Sequence, residues 1–202
     1  MPRIASPTKD EIAGLEPLSR LGLDNIVVVS TQQQAEQAFQ ALGASTVLGF
    51  DTESKPTFAK NQISQGPHVV QFSTLHKAYV FQLHDAGCRE TISMLLVSDH
   101  ITKVGFGLAG DHVQIMRTLG VRPKNVLDLN VVFREKGYLK ELGVRGAVAV
   151  VLNRRFLKSR KATTSNWANR QLSESQIVYS ANDAWAAIQV FHALGLPLPF
   201  AP

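Results

Sequence analysis

Four acids and one phenol have the types and spacing to do chemistry, and they fall into three groups. The first group is Asp51-Thr52-Glu53, which closes the apolar run Val47-Leu48-Gly49-Phe50. Side chains alternate along a strand, so Asp51 and Glu53 point to one face. Two carboxylates placed this way repel each other and are costly to desolvate. A cation between them, or water reaching them, relieves both problems. Oxygen pairs of this kind suit hard ions such as Mg²⁺ or Mn²⁺, although two acids at a frayed strand end would leave the same pattern with no ion. The second group is Tyr179 and Asp183, four residues apart in the apolar stretch IVYSANDAWAAIQVF. On a helix that spacing places both on one face. A buried acid there needs a partner from elsewhere in the fold, and a metal or an arginine would serve. Tyr179 alone is compatible with a core tyrosine. The third group is Asp111, at the start of a helical pattern, where a carboxylate meets the positive helix end and can cap it.

The elements that must position these groups alternate along the chain. Strand patterns cover 25–31, 46–53, 68–74, 78–83, 101–106 and 125–129. The tightly joined pair 68–74 and 78–83 reads as a hairpin. Helical patterns cover 32–42, 89–98, 111–119, 143–156 and 173–194, the last opened by a capping box of Ser173 and Gln176. Gly43 and Gly120 read as helix stops. A hairpin followed by strand–helix units predicts an α/β fold with a mixed central sheet flanked by helices. Functional groups in such sheets collect at strand ends and helix N-termini. Residues 1–22, with Pro2, Pro7 and Pro17, read as an extended lead-in. One domain over 23–196 follows, and Pro197, Pro199 and Pro202 mark a tail over 197–202.

A competing motif lies in the middle of the chain. Gly105-Phe106-Gly107-Leu108-Ala109-Gly110 fits G-x-G-x-x-G between a strand and a helix, with Asp128 placed as a ribose-binding acid would be. Asp111 opposes this reading, because its charge in the first helical turn repels the pyrophosphate the glycines would cradle.

Composition narrows the classes further. The 202 residues suit one domain, and a hydrophobic share of 45% argues against disorder. The longest strictly apolar run, Ala147 to Leu152, is far too short to span a membrane. The N-terminus has no apolar signal region, so an intracellular, cytoplasmic or nuclear protein is expected. Cys88 is the only cysteine, which excludes an intrachain disulfide and a cysteine-rich zinc site. The histidines at 68, 76, 84, 100 and 192 have no ligand spacing, and His112 reads as an exposed helix residue. Of the 21 Lys and Arg, six lie between Arg154 and Arg170 with no acid among them, which leaves 15 against 16 acids elsewhere. The net charge of +5 is therefore local, and it points to a polyanion partner such as nucleic acid or to a solvated basic loop.

Taken together, GFDTE at 49–53, Asp111 in VGFGLAGDHVQI, Tyr179-Ser-Ala-Asn-Asp183 and the SNW segment at 165–167 resemble the DEDD superfamily of 3′→5′ exonucleases. The likeness is greatest to the ribonuclease D group and Werner-like exonuclease domains, and it covers residues 25–195. Gly107 stands where some members have Asn. Val178 stands where the sister subgroup has its histidine, so the chain resembles the tyrosine (DEDDy) subgroup. The resemblance is to a bare exonuclease domain, without the helical nucleic-acid-binding domains that follow it in ribonuclease D.

The resemblance implies a ribonuclease H-like exonuclease fold. It implies two divalent cations, Mg²⁺ or Mn²⁺, held by Asp51, Glu53, Asp111 and Asp183, with Asp51 shared between them. Tyr179 would orient the attacking water, and nucleoside monophosphates would leave from the 3′ end of DNA or RNA. Two such ions can activate water, align the phosphorus and stabilise the leaving oxygen. Position and charge make Lys158, Arg160, Lys161 and Arg170 candidate phosphate contacts. Trp167 is a candidate to stack on a base or a core residue, and Thr52 a candidate to touch the terminal nucleotide through its backbone. A nucleic-acid-binding module without catalysis is the alternative on the same fold.

Overall fold

The computed structural model describes residues 3–57 and 63–198, with every side chain in them except that of Arg160. Six strands form one sheet: β1 (Ile26–Val29), β2 (Val47–Glu53), β3 (Val69–Ser73), β4 (Ala78–Gln82), β5 (Thr102–Gly105) and β6 (Val126–Asp128). Their order is β1-β4-β3-β2-β5-β6. Only β3 runs antiparallel to its neighbours, so the sheet is mixed as expected. The β3–β4 hairpin closes through Thr74 and Lys77, whose amide–carbonyl bond is 2.9 Å.

Strand alternation sends Leu48, Phe50, Val70, Phe72 and Phe81 to one face, under α2 (Gln32–Gly43), α3 (Ala86–Val97) and α4 (Ala109–Leu119). Phe50, Phe72 and Phe81 stack in series there, with ring centroids 5.5 and 6.0 Å apart. The opposite face carries α8 (Glu174–Ala193), with α5 (Leu129–Glu135) and α6 (Gly143–Leu152) beside it. Both flanks of β3 and β4 are therefore covered, and every residue of the two strands is buried. Among the described residues no helix is long and apolar enough to cross a membrane.

Several elements depart from the sequence reading. The helix expected over 143–156 ends at Leu152, because Asn153 takes a left-handed conformation at φ 50°. The basic loop contains a short helix, α7 (Arg160–Thr163). The strand expected to reach 129 stops at Asp128, whose carboxylate caps α5 at the Asn130 amide, 2.9 Å away. The lead-in is not simply extended. It holds α1 (Lys9–Ala13), opened by a Thr8–Glu11 capping box. It also docks on the body: Leu18 N–H donates to the Arg155 carbonyl, and Asn182 on α8 exchanges two hydrogen bonds with the Leu21 backbone. The expected Ser173–Gln176 capping box does open α8. Pro199 and Pro202, assigned to the tail, lie outside the described residues.

The feature that sets the site is the contact between β2 and α8. A Cβ on Gly49 would sit 2.0 Å from the Ala184 carbonyl oxygen, so only glycine lets the helix backbone lie this close. Gly49→Ala must push α8 outward. Overpacking of this kind costs about 1–3 kcal/mol, measurable as a lower denaturation midpoint, and it should weaken any function that needs residues of both elements.

Candidate active site

Gly49, Asp51 and Glu53 lie on the face of β2 that meets α8, which is the alternation the sequence predicts. α8 returns Asp183 to that face one residue before Ala184. Asp51, Glu53 and Asp183 each offer a carboxylate oxygen, and these oxygens lie within 4.8 Å of one another. Asp183 is 4% exposed. Among the described residues its Oδ1 has no hydrogen-bond partner and the one cation facing it is Lys158, with Nζ 3.1 Å from Oδ2. Lys158 Nζ also lies 5.5 Å from the centroid of the Tyr179 ring.

One ammonium does not balance three carboxylates. Burial, then the Asp183 and Asp111 charges, push the Asp51 carboxyl far above the ordinary range. Burial and the neighbouring Asp51 raise Glu53 to about 9. Burial also raises Asp183, with Lys158 opposing it. A compact set of hard oxygen donors, one of them buried and unpartnered, fits a hard divalent cation.

Asp111 stands beside this trio rather than within it. It occupies the first turn of α4 but does not cap the helix, since Leu108 is the N-cap and no side chain bonds there. Its Oδ1 accepts a hydrogen bond from the Thr52 hydroxyl. Thr52 points away from Asp51 and Glu53, so Asp111 meets the end of β2 from the other face of the sheet. Burial raises the Asp111 carboxyl, and the Thr52 hydrogen bond opposes that shift.

Tyr179 is held from behind. Thr163 on α7 donates a hydrogen bond to its hydroxyl at 3.1 Å, and the Trp167 ring packs 6.0 Å away between centroids. Burial and the Asp183 charge raise the phenol above its ordinary value of 10.0.

The candidate substrate contacts differ in their surroundings. Trp167 is 1% exposed within the core around Tyr179 and Leu172, so neither face is open to a base. Lys158 is not an outward phosphate contact here, because three underneutralised carboxylates draw its ammonium inward. Thr52 has its side chain on Asp111. Lys161 and Arg170 are exposed. Arg160 begins α7, but its side chain lies outside the described residues. Arg155 pins the lead-in instead, donating to the Ala13 carbonyl at 2.8 Å. His112 is half-buried rather than exposed, with Nε2 unpartnered among the described residues.

The glycine motif has a structural use. Gly105 lets the Phe50 carbonyl approach, where a Cβ would come within 2.4 Å. The Leu108 amide donates to Asp128 Oδ2 at 3.1 Å, so an internal acid fills the place where a pyrophosphate would bind. The dinucleotide reading fails on that contact.

Gln71 escaped the sequence reading. It pairs with Asp51 across the β2–β3 ladder, is fully buried, and has neither amide atom hydrogen-bonded among the described residues. Its only signal in the sequence is a lone amide inside the apolar strand HVVQFST.

Comparison with known proteins gives the family: residues 26–199 match the 3′-5′ exonuclease family model, and the chain belongs to that enzyme family. The bifunctional 3′-5′ exonuclease/ATP-dependent helicase WRN of Mus musculus is 29% identical over 163 residues, covering 80% of this chain and 12% of the relative. A 3′-5′ exonuclease of Arabidopsis thaliana is 28% identical over 149 residues, covering 73% of this chain and 52% of the relative. The chain thus spans from about an eighth to about half of the length of these relatives. Trypanosoma brucei RNase D superposes with a TM-score of 0.76 at 20% identity, covering 87% of this chain and 66% of that one. Escherichia coli RNase D gives 0.73 at 17%, covering 85% of this chain and 44% of that one. These likenesses establish the ribonuclease H-like exonuclease fold.

The raised carboxyls set a pH dependence. Between its ordinary pKa of 4.5 and the folded value of about 9, Glu53 binds more protons folded than unfolded. Stability of the metal-free protein therefore falls as pH rises through that window. Asp51 and Asp183 act in the same direction. Denaturant titrations across the window should show this decline, and a saturating divalent cation should flatten it.

Proposed function

We propose that the chain is a metal-dependent 3′→5′ exonuclease of the tyrosine subgroup, releasing nucleoside monophosphates from the 3′ end of DNA or RNA. The observation that carries this reading is the convergence of Asp51, Glu53 and Asp183 with too little positive charge to neutralise them. These three residues and Asp111 would hold two divalent cations, Mg²⁺ or Mn²⁺. When bound, such ions supply an activated water and stabilise the leaving oxygen.

The chain's own residues do the rest. Tyr179 keeps its proton at neutral pH, since even an unperturbed phenol titrates at about 10 and burial moves it further up. It therefore acts as a hydrogen-bond donor that orients the attacking water, not as a base. Thr163 and Trp167 fix the ring from behind. Thr52 sets the direction of Asp111. Lys161 and Arg170, exposed on the basic stretch, contact strand phosphates.

The test is a time course on 5′-labelled single-stranded DNA and RNA of one sequence, with Mg²⁺, Mn²⁺ or EDTA. A ladder shortening from the 3′ end, lost in EDTA, is the expected result. Asp51→Asn and Asp183→Ala should each lose about 4 kcal/mol of transition-state stabilisation, roughly a thousandfold in rate, while folding normally. Tyr179→Phe should lose about tenfold, the worth of one hydrogen bond. Full activity in Asp51→Asn would overturn the assignment. Salt-sensitive binding with no cleavage in either metal would show the binding module instead. Lys161→Ala with Arg170→Ala should flatten the salt dependence of strand binding, by about 0.7 in log–log slope per lost contact.

A further inference from the structure

Lys158 lies where two spaces meet. One is a recess of about 240 Å³ that also touches Asp51, Phe106, Asn130 and Asp183. The other is a cavity of about 460 Å³ that Lys158 also lines, together with Leu18, Arg20, Phe156, Glu174 and Tyr179 among others. The Lys158 ammonium is turned into the first space, 3.1 Å from Asp183 Oδ2. About a third of its side chain remains exposed, at 34%, whereas the Asp183 side chain is 3% exposed. The lysine belongs to the segment between Asn153 and α7, and it reaches the acids by a long flexible stem. The acids themselves are held on β2 and α8. Of the two partners, the lysine is the one free to leave.

We propose that Lys158 is a built-in counter-ion of the acidic site, competing with the divalent cation and turning into the adjacent cavity when the cation binds. The inference rests on the reading that these carboxylates hold a divalent cation. An ammonium and a metal ion contend for the same Asp183 oxygens, and the carboxylates cannot satisfy both at full strength. Lys158 therefore neutralises part of the cluster before loading, which lowers the repulsion the fold must hold, and it weakens metal affinity by the same interaction. The cavity offers apolar walls from Leu18 and Phe156 for the displaced stem, and the Glu174 carboxylate and Ser175 hydroxyl for its ammonium, against the like charge of Arg20.

The test uses the full chain, stripped of metal and without nucleic acid, titrated with Mn²⁺ by calorimetry. Lys158→Met should bind Mn²⁺ about tenfold more tightly than the wild type, or ~1.4 kcal/mol. Its melting temperature in EDTA should fall below that of the wild type, and the gain on adding Mn²⁺ should be larger. Lys158→Arg, which keeps the charge, should stay near the wild-type affinity. Lys161→Met controls for net charge alone. Equal affinities in the wild type and Lys158→Met would overturn the proposal, as would equal tightening in Lys161→Met. Failure of the wild type to bind Mn²⁺ would overturn the metal-site reading itself and this inference with it. A second measurement needs no variant: Lys158 acylation at fixed pH, followed by mass spectrometry, should speed up on saturation with Mn²⁺ while Lys161 stays constant. An unchanged Lys158 rate overturns displacement.

Discussion

The site depends on how closely α8 can lie on β2. Gly49 removes the one side chain that would keep them apart, and the Ala184 carbonyl occupies the space a Cβ would need. One residue from that contact on the helix is Asp183, and two residues along the strand is Asp51. Backbone proximity therefore becomes carboxylate proximity. A helix displaced outward would still cover the sheet, but it would carry Asp183 away from Asp51 and Glu53. Gly105 plays a similar part on the next strand, where it makes room for the Phe50 carbonyl. The β2–β5 ladder is registered only from Val47 to Gly49, while β2 stays paired with β3 as far as Glu53. The acid-bearing end of β2 thus keeps one firm neighbour, and Asp111 comes to it from α4.

Electrostatics would drive such an arrangement apart, since each carboxyl is raised by burial and, among the described residues, one ammonium faces the trio. The surrounding structure resists through contacts that are themselves well satisfied. Asn182, next to Asp183 in the chain, bonds the Leu21 backbone in both directions. Trp185 and Gln189 both donate to the Leu75 carbonyl, at 2.8 and 3.0 Å. Gln176 donates to Ser165 as well as completing its capping box. α8 is therefore tied to the lead-in, the hairpin turn and the basic segment. The stability of the body supports a cluster that is unfavourable by itself, as is common where polar chemistry is preorganised.

The segment before α8 shows how one stretch can serve several purposes. Of its apolar members, Phe156, Ala162 and Trp167 are buried, while Leu157 is half exposed. Its cations divide by surroundings: Arg155 anchors the lead-in, Lys158 enters the acidic recess, and Lys161 and Arg170 stay in solvent. A charge count treats all of them alike. Their separate roles come from which cation lies within reach of an uncompensated acid or an open carbonyl.

The sequence by itself determined the alternation of strands and helices, the β3–β4 hairpin, the Ser173 cap and the sharing of one face by Asp51 and Glu53. All of these follow from short-range rules: side-chain period, capping and turn chemistry. The resemblance of three short motifs in order then carried the family. Only the tertiary structure decided that Asp183 meets the strand acids, that Asp111 leans on Thr52 from the opposite face, and that Asp128 fills the glycine loop. It also decided that Gln71 lies beside Asp51, that Trp167 is core, and that Lys158 points inward. Those outcomes join residues far apart in the chain, and they turn on backbone approach and on which buried charge lacks a partner. Neither quantity has a local pattern in the sequence.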